Sequence, residues 1–164
     1  MIENLTLRQA VELAVTTEQL GGRFYEKMAH KFTHDKDLAS IFDGLSKDEK
    51  IHEAQFKALL QDVPSEKGVT LTPEQMHFLK ATAISKFFSR NAFTELDGLT
   101  KPADVLSAAL EFEKSILLYY LTIEEVLGPN PKLGEIIKTE KSHVATLMKV
   151  IITDARFRGL GDTW

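Results

Sequence analysis

The chain has 164 residues, 43% hydrophobic and 27% charged, with a formal net charge of −4. That is enough chain to bury one sizeable core with ordinary globular composition, which excludes a disordered or fibrous protein and predicts a single domain over residues 1–164. Mild acidity gives no electrostatic reason to expect nucleic acid or an anionic membrane as partner, and the absence of cysteine excludes disulfides, thiolate-held zinc and iron–sulfur clusters.

Thr6 and Gln9 form a capping box that opens a first helix over about 6–31, with Leu7, Val11, Ala14, Val15, Phe24, Met28 and Phe32 inward. Glu18 lies in its middle, followed by Gly21 and Gly22. Adjacent helix glycines cost about 1 kcal/mol each against alanine. They imply either room beside a functional site or a close helix–helix approach. Asp35 caps a second helix over about 36–61 whose apolar side is Leu38, Ile41, Phe42, Leu45, Phe56, Leu59 and Leu60. Glu49 and His52 fall within the same pattern, three residues apart and so on one face. Thr72, Pro73 and Gln75 open a third helix over about 73–93, with Met76, Leu79, Ala83, Ile84, Phe87 and Phe88 as its stripe. Phe78 and Phe93 lie off that stripe, which suggests burial against a second partner or subunit. Glu74 and His77 repeat the Glu-x-x-His spacing in this helix's first turn, where an acidic residue serves the helix dipole.

Pro102 begins a helix over about 102–127, closed by Gly128-Pro129, with Val105, Leu106, Ala109, Leu110, Ile116, Leu117, Tyr120 and Ile123 inward. Glu111 and Glu113 sit in its middle, about 200° apart around the axis, so they do not share a face. The last helix follows Asn130 and runs over about 131–157, with Leu133, Ile136, Ile137, Val144, Leu147, Met148 and Ile151 inward and Glu140 and His143 as a further Glu-x-x-His pair. No alternating strand pattern appears, so the expected class is all-α. The longest apolar run, Ile116–Leu121, is too short to span a bilayer, and Met1–Asn4 resembles no secretory leader; a cytoplasmic location follows as the expectation. His30 and His34 are expected at the surface.

The two ends of the chain repeat each other. Glu18 is followed seven residues on by Tyr25, and Glu113 by Tyr120; seven residues is two turns, so each tyrosine shares its glutamate's face. Each of those helices precedes one carrying Glu-x-x-His. Four-helix bundles build two-metal sites from this set, one Glu from each of two helices and Glu-x-x-His from the other two. Four carboxylates neutralise two divalent cations, whereas without metal they would repel and shift toward the protonated form. His and carboxylate donors suit iron, manganese or zinc. Tyr120 at the mirrored spacing favours Glu113 over Glu111 as the member from its helix.

The segments Thr17–Gln19 to Phe24–Glu26, Asp48–His52, Glu111–Lys114 to Tyr119–Tyr120, and Glu140–His143 resemble the ferritin-like superfamily, and within it the di-iron domain of rubrerythrins. The resemblance implies a four-helix bundle with a long crossover that carries the extra helix. It implies two irons, with manganese or zinc as alternatives, held by Glu18, Glu49, His52, Glu113, Glu140 and His143. Tyr25 and Tyr120 would hydrogen-bond ligating carboxylates. The implied activity is that of a non-haem di-iron oxidoreductase acting on peroxide or dioxygen with an external electron-transfer protein; a ferroxidase or iron-storage role is the alternative. A homodimer or higher homo-oligomer is expected, with no nucleic-acid or membrane partner. Two features depart from the rubrerythrin pattern. The four cysteines of a rubredoxin domain are absent, and Ile116 stands where an additional glutamate usually follows the third helix's ligand by one turn (Lys114 if that ligand were Glu111).

Overall fold

A computed structural model describes residues 6–63, 72–83, 96 and 98–153. The described residues form five helices and no strand: α1 (Leu7–Lys31), α2 (Lys36–Asp62), α3 (Pro73–Ala83), α4 (Pro102–Leu127) and α5 (Pro131–Thr153). Ile84, Phe87, Phe88 and Phe93 of the expected third helix lie outside the described residues, as does everything after Thr153.

The helix ends are set by local chemistry. The Thr6 hydroxyl accepts from the Gln9 amide at 3.2 Å while Gln9 Oε1 accepts from the Thr6 amide at 2.9 Å. Asp35 accepts from the Leu38 amide at 3.1 Å. The Thr72/Gln75 box closes the same way, and Asn130 Oδ1 accepts from the amides of Lys132 and Leu133 at 3.0 and 3.3 Å. These side chains satisfy amides that a helix start leaves without partners. Gly128, at φ 81°, ends α4 in a conformation that costs glycine little, and its amide donates to Glu124 O at 2.9 Å.

Cross-helix contacts give the topology. Arg8 reaches Leu60 O, Gln19 reaches Glu53 and Ser46 reaches Gly22 O, so α1 and α2 run antiparallel. Asp48 with His143 and Asp62 with Lys132 make α2 and α5 antiparallel; Tyr119 with Ala10 O and Tyr25 with Glu113 do the same for α1 and α4. It follows that α2 and α4 are parallel and lie diagonally, joined by a crossover from Val63 to Lys101 that includes α3, which packs on α4. This is an all-α, ferritin-like bundle.

The interior is filled by Phe24, Met28, Phe42, Phe56, Leu106, Phe112, Tyr119, Ile123, Leu133 and Leu147 among others, all fully buried or nearly so. Phe112 and Tyr119 widen the buried face of α4 beyond the stripe read from sequence. Met148, expected inward, is exposed; it stands about 100° from the centre of the α5 stripe that Ile136, Glu140 and Leu147 define, at the edge of the buried face. Phe78, expected to be buried against a partner, is exposed in this chain.

Candidate metal centre

The polar residues of the four long helices meet in the middle of this apolar interior. Glu18 and Tyr25 come from α1, Glu49 and His52 from α2, Glu113 and Tyr120 from α4, and Glu140 and His143 from α5, and all eight are buried. Their helical spacing aims each pair inward; antiparallel packing brings the pairs to one level.

Each histidine turns Nδ1 toward three carboxylates. His52 Nδ1 lies 2.7 Å from Glu140 Oε1 and 3.6 Å from both Glu18 Oε2 and Glu49 Oε2. His143 Nδ1 lies 3.3 Å from Glu113 Oε2, 3.4 Å from Glu140 Oε2 and 3.8 Å from Glu49 Oε1. Two groups of donor atoms result, each within 4.8 Å of one another: Glu18, Glu49, His52 and Glu140, and Glu49, Glu113, Glu140 and His143. Glu49 and Glu140 belong to both. The donors are also poorly satisfied by the protein. Glu18 Oε2, both oxygens of Glu49, both of Glu140 and His52 Nδ1 have no hydrogen-bond partner, although all are buried. The 2.7 Å approach of His52 to Glu140 is close in distance but not aligned as a hydrogen bond. Buried polar atoms left without partners cost about 1–3 kcal/mol each, more when charged. A divalent cation between them would remove that cost, so the residues present fit a two-metal site.

The tyrosines cross the bundle. Tyr25 donates its hydroxyl to Glu113 Oε1, and Tyr120 donates to Glu18 Oε1. Each therefore holds a carboxylate of the opposite half and leaves that carboxylate's other oxygen facing the centre. Burial, and then the neighbouring glutamates, push both phenols well above their ordinary range, so they remain neutral donors.

Without metal the charges compensate one another. Burial and then Glu18 raise Glu49 well above a normal carboxylate; burial and then Glu113 raise Glu140 to about 8. Burial raises Glu113 too, but His143, Glu140 and Tyr25 beside it together outweigh that and hold it below its ordinary value. Burial lowers both imidazoles, yet the facing carboxylates prevail: Glu140 and Glu18 carry His52 to about 9, and Glu113 and Glu140 carry His143 to about 11.

The neighbouring residues with candidate roles take different places. Glu111 is exposed and pairs with Lys114 at 3.0 Å, while Glu113 faces the centre. Glu74 and His77 are exposed on α3, away from the cluster, and His30 and His34 are also at the surface. Gly21 and Gly22 serve close approach. A Cβ at Gly21 would sit 3.0 Å from the Phe112 ring, and one at Gly22 would sit 3.5 Å from Glu49 Cβ and 3.7 Å from Ser46 O. Asp48 is the residue that sequence reading gave no role. Its Oδ2 lies 3.2 Å from His143 Nε2, on the side of the ring away from the carboxylates. The signal was present only as an acid one position before a Glu-x-x-His, which by itself places Asp48 off the inward face.

A family model for rubrerythrin matches residues 9–151, a span that holds every residue of the cluster. The chain belongs to the rubrerythrin family. No curated protein and no solved structure matches it. For this rubrerythrin-family chain the buried carboxylate–histidine cluster is the feature that could hold metal. Among the described residues, no helix is long and apolar enough to cross a membrane.

Proposed function

We propose that this rubrerythrin-family protein is a non-haem di-iron oxidoreductase that reacts with peroxide or dioxygen. Glu18 and His52 would serve one iron, Glu113 and His143 the other, with Glu49 and Glu140 bridging. The observation that carries this reading is the pair of overlapping donor groups that share Glu49 and Glu140, with five buried carboxylate oxygens lacking a hydrogen-bond partner. Two ferrous ions held there would supply one electron each to an O–O bond.

The protein's own part is positional and electrostatic. Four carboxylates balance two divalent cations, and the apolar layers around them exclude bulk water. Tyr25 and Tyr120 keep their protons and hold Glu113 and Glu18 in fixed orientation, so each carboxylate offers its free oxygen without having to reorganise. These 164 residues contain no cysteine. Electrons would therefore arrive from a separate protein or domain. A cytoplasmic homodimer remains the expected setting.

A second reading, iron oxidation for binding or storage, is favoured by Ile116. It is fully buried one turn beyond Glu113, at the place where rubrerythrins usually carry a further glutamate. Peroxide added to the reduced, iron-loaded protein distinguishes the two. The oxidoreductase reading expects repeated turnover with a reductant and about two irons retained per chain; iron released or accumulated beyond that number favours storage. Oxidation no faster in the wild type than in Glu140→Ala would overturn both.

A further inference from the structure

The internal repeat makes the two halves of the centre comparable position by position. Glu18 and Tyr25 correspond to Glu113 and Tyr120; Asp48, Glu49 and His52 correspond to Thr139, Glu140 and His143. The tyrosines keep the correspondence, since each donates to the opposite half's glutamate. The histidines break it. His143 Nε2 meets Asp48 Oδ2 at 3.2 Å. The contacts of His52 with carboxylates all run through Nδ1. Thr139, at the place of Asp48, turns its hydroxyl back to Glu135 O at 3.2 Å within its own helix. Among the described residues no carboxylate lies on His52 Nε2.

The difference has a direct chemical consequence. An imidazole that binds metal through one nitrogen must carry its proton on the other, and a carboxylate accepting that proton fixes both the tautomer and the ring's orientation. It also raises the basicity of the ligating nitrogen. His143 itself is buried, while the Asp48 side chain is about half exposed, so solvent can carry the carboxylate's remaining hydration without entering the centre. Among the described residues no carboxylate gives His52 such support.

We propose that Asp48 is a positioning residue that makes the two metal positions inequivalent, so that the position at His143 binds a divalent cation more tightly and fills before the position at His52. This rests on the two-metal reading above, but concerns which half binds first rather than what the metals do.

The test is a titration of the metal-free full-length chain with cobalt(II), a redox-stable reporter, followed by calorimetry and visible absorption. The wild type should bind in two resolved steps of one ion each. Asp48→Ala should weaken the tighter step by about tenfold to a hundredfold and merge it with the other, the usual cost of losing a partner to a ligating histidine. Asp48→Asn, which keeps an acceptor without the charge, should fall between. Thr139→Asp should tighten the weaker step and leave the stronger one in place. Two equal steps in the wild type would overturn the inference, as would an unchanged separation in Asp48→Ala or an equal weakening of both steps. Should Asp48→Ala not fold, Asp48→Asn and Thr139→Asp carry the decision. A wild type that takes up no cobalt would overturn the metal-centre reading itself, a separate result.

Discussion

The hairpin of α1 and α2 and the hairpin of α4 and α5 supply the centre with the same kinds of residue at the same spacings, yet they are packed by different means. In the first, Gly21 and Gly22 let the helices approach closely, and Ser46 Oγ donates to Gly22 O at 2.9 Å across the contact. In the second, the only described glycine inside a helix, Gly134, has open space around it. There α4 instead projects Phe112, Tyr119 and Tyr120 toward α1; Phe112 covers Gly21, and the Tyr119 hydroxyl donates to Ala10 O at 2.9 Å. The donor set is thus repeated while its scaffold is not. Chemistry constrains the residues that face the centre, and packing constrains only that the space behind them be filled.

The largest expected effects come from the two residues that belong to both donor groups. Glu49→Ala or Glu140→Ala should reduce bound iron from about two per chain to one or none, whereas Glu18→Ala and Glu113→Ala should each spare one position. Measured metal stoichiometry checks this. Equal losses in all four variants would mean that the halves do not fill separately. Kept free of metal, Glu49→Ala should lose little stability or gain some, because both oxygens it removes are buried without a hydrogen-bond partner, whereas Glu18→Ala and Glu113→Ala leave the buried Tyr120 and Tyr25 hydroxyls without an acceptor and should lose about 1–3 kcal/mol.

Acidity should separate the halves next. In the metal-free protein His52 and His143 are raised above an ordinary imidazole and Glu140 above an ordinary carboxylate. A raised group contributes stability below its unfolded pKa and loses it as pH climbs through the folded value. Glu140 therefore withdraws its share between about 4.5 and about 8, His52 between 6.5 and about 9, and His143 between 6.5 and about 11. Glu113, which is lowered, acts in the opposite sense and matters only in acid. Thermal unfolding of metal-free protein should thus move to lower temperature from pH 5 to pH 9. The rise in melting temperature on adding metal should grow over that range, since cation and protons compete for the same donors. A metal-free protein that becomes more stable across this window would contradict the arrangement.

Smaller effects test the tyrosines and then the glycines. Tyr25→Phe and Tyr120→Phe each remove a hydroxyl donated to a buried glutamate, a change of about 1.5–3 kcal/mol for a bond to a charged group. Denaturant unfolding should give losses of similar size for the two, and a marked inequality would show that the crossed pair is less symmetric than its geometry. Gly21→Ala forces the Phe112 ring aside and should destabilise by about 1–3 kcal/mol, as overpacking does. Gly22→Ala meets only ordinary contact distances, so it should be neutral or gain up to about 1 kcal/mol from helix propensity.

What could be read from the residues alone was whatever depends on a helix's own axis. Caps at Thr6, Asp35 and Thr72, closure at Gly128 and the apolar stripes are local, because hydrogen bonds and side-chain directions repeat every few residues. The same locality puts Glu49 with His52, Glu140 with His143, and each glutamate with the tyrosine two turns on. The distribution of those eight residues over four helices was therefore legible, and with it the expectation that they converge. The relative register of helices is not local. It is set by how side chains on two surfaces interlock, a property of neither sequence segment by itself. Only the assembled bundle decided that Tyr25 serves Glu113 and Tyr120 serves Glu18, that Phe112 lies over Gly21, that Met148 faces outward, and that Asp48 on α2 stands behind His143 on α5. Two donor sets that look alike along the chain became distinguishable when Asp48 from one half was placed against His143 of the other.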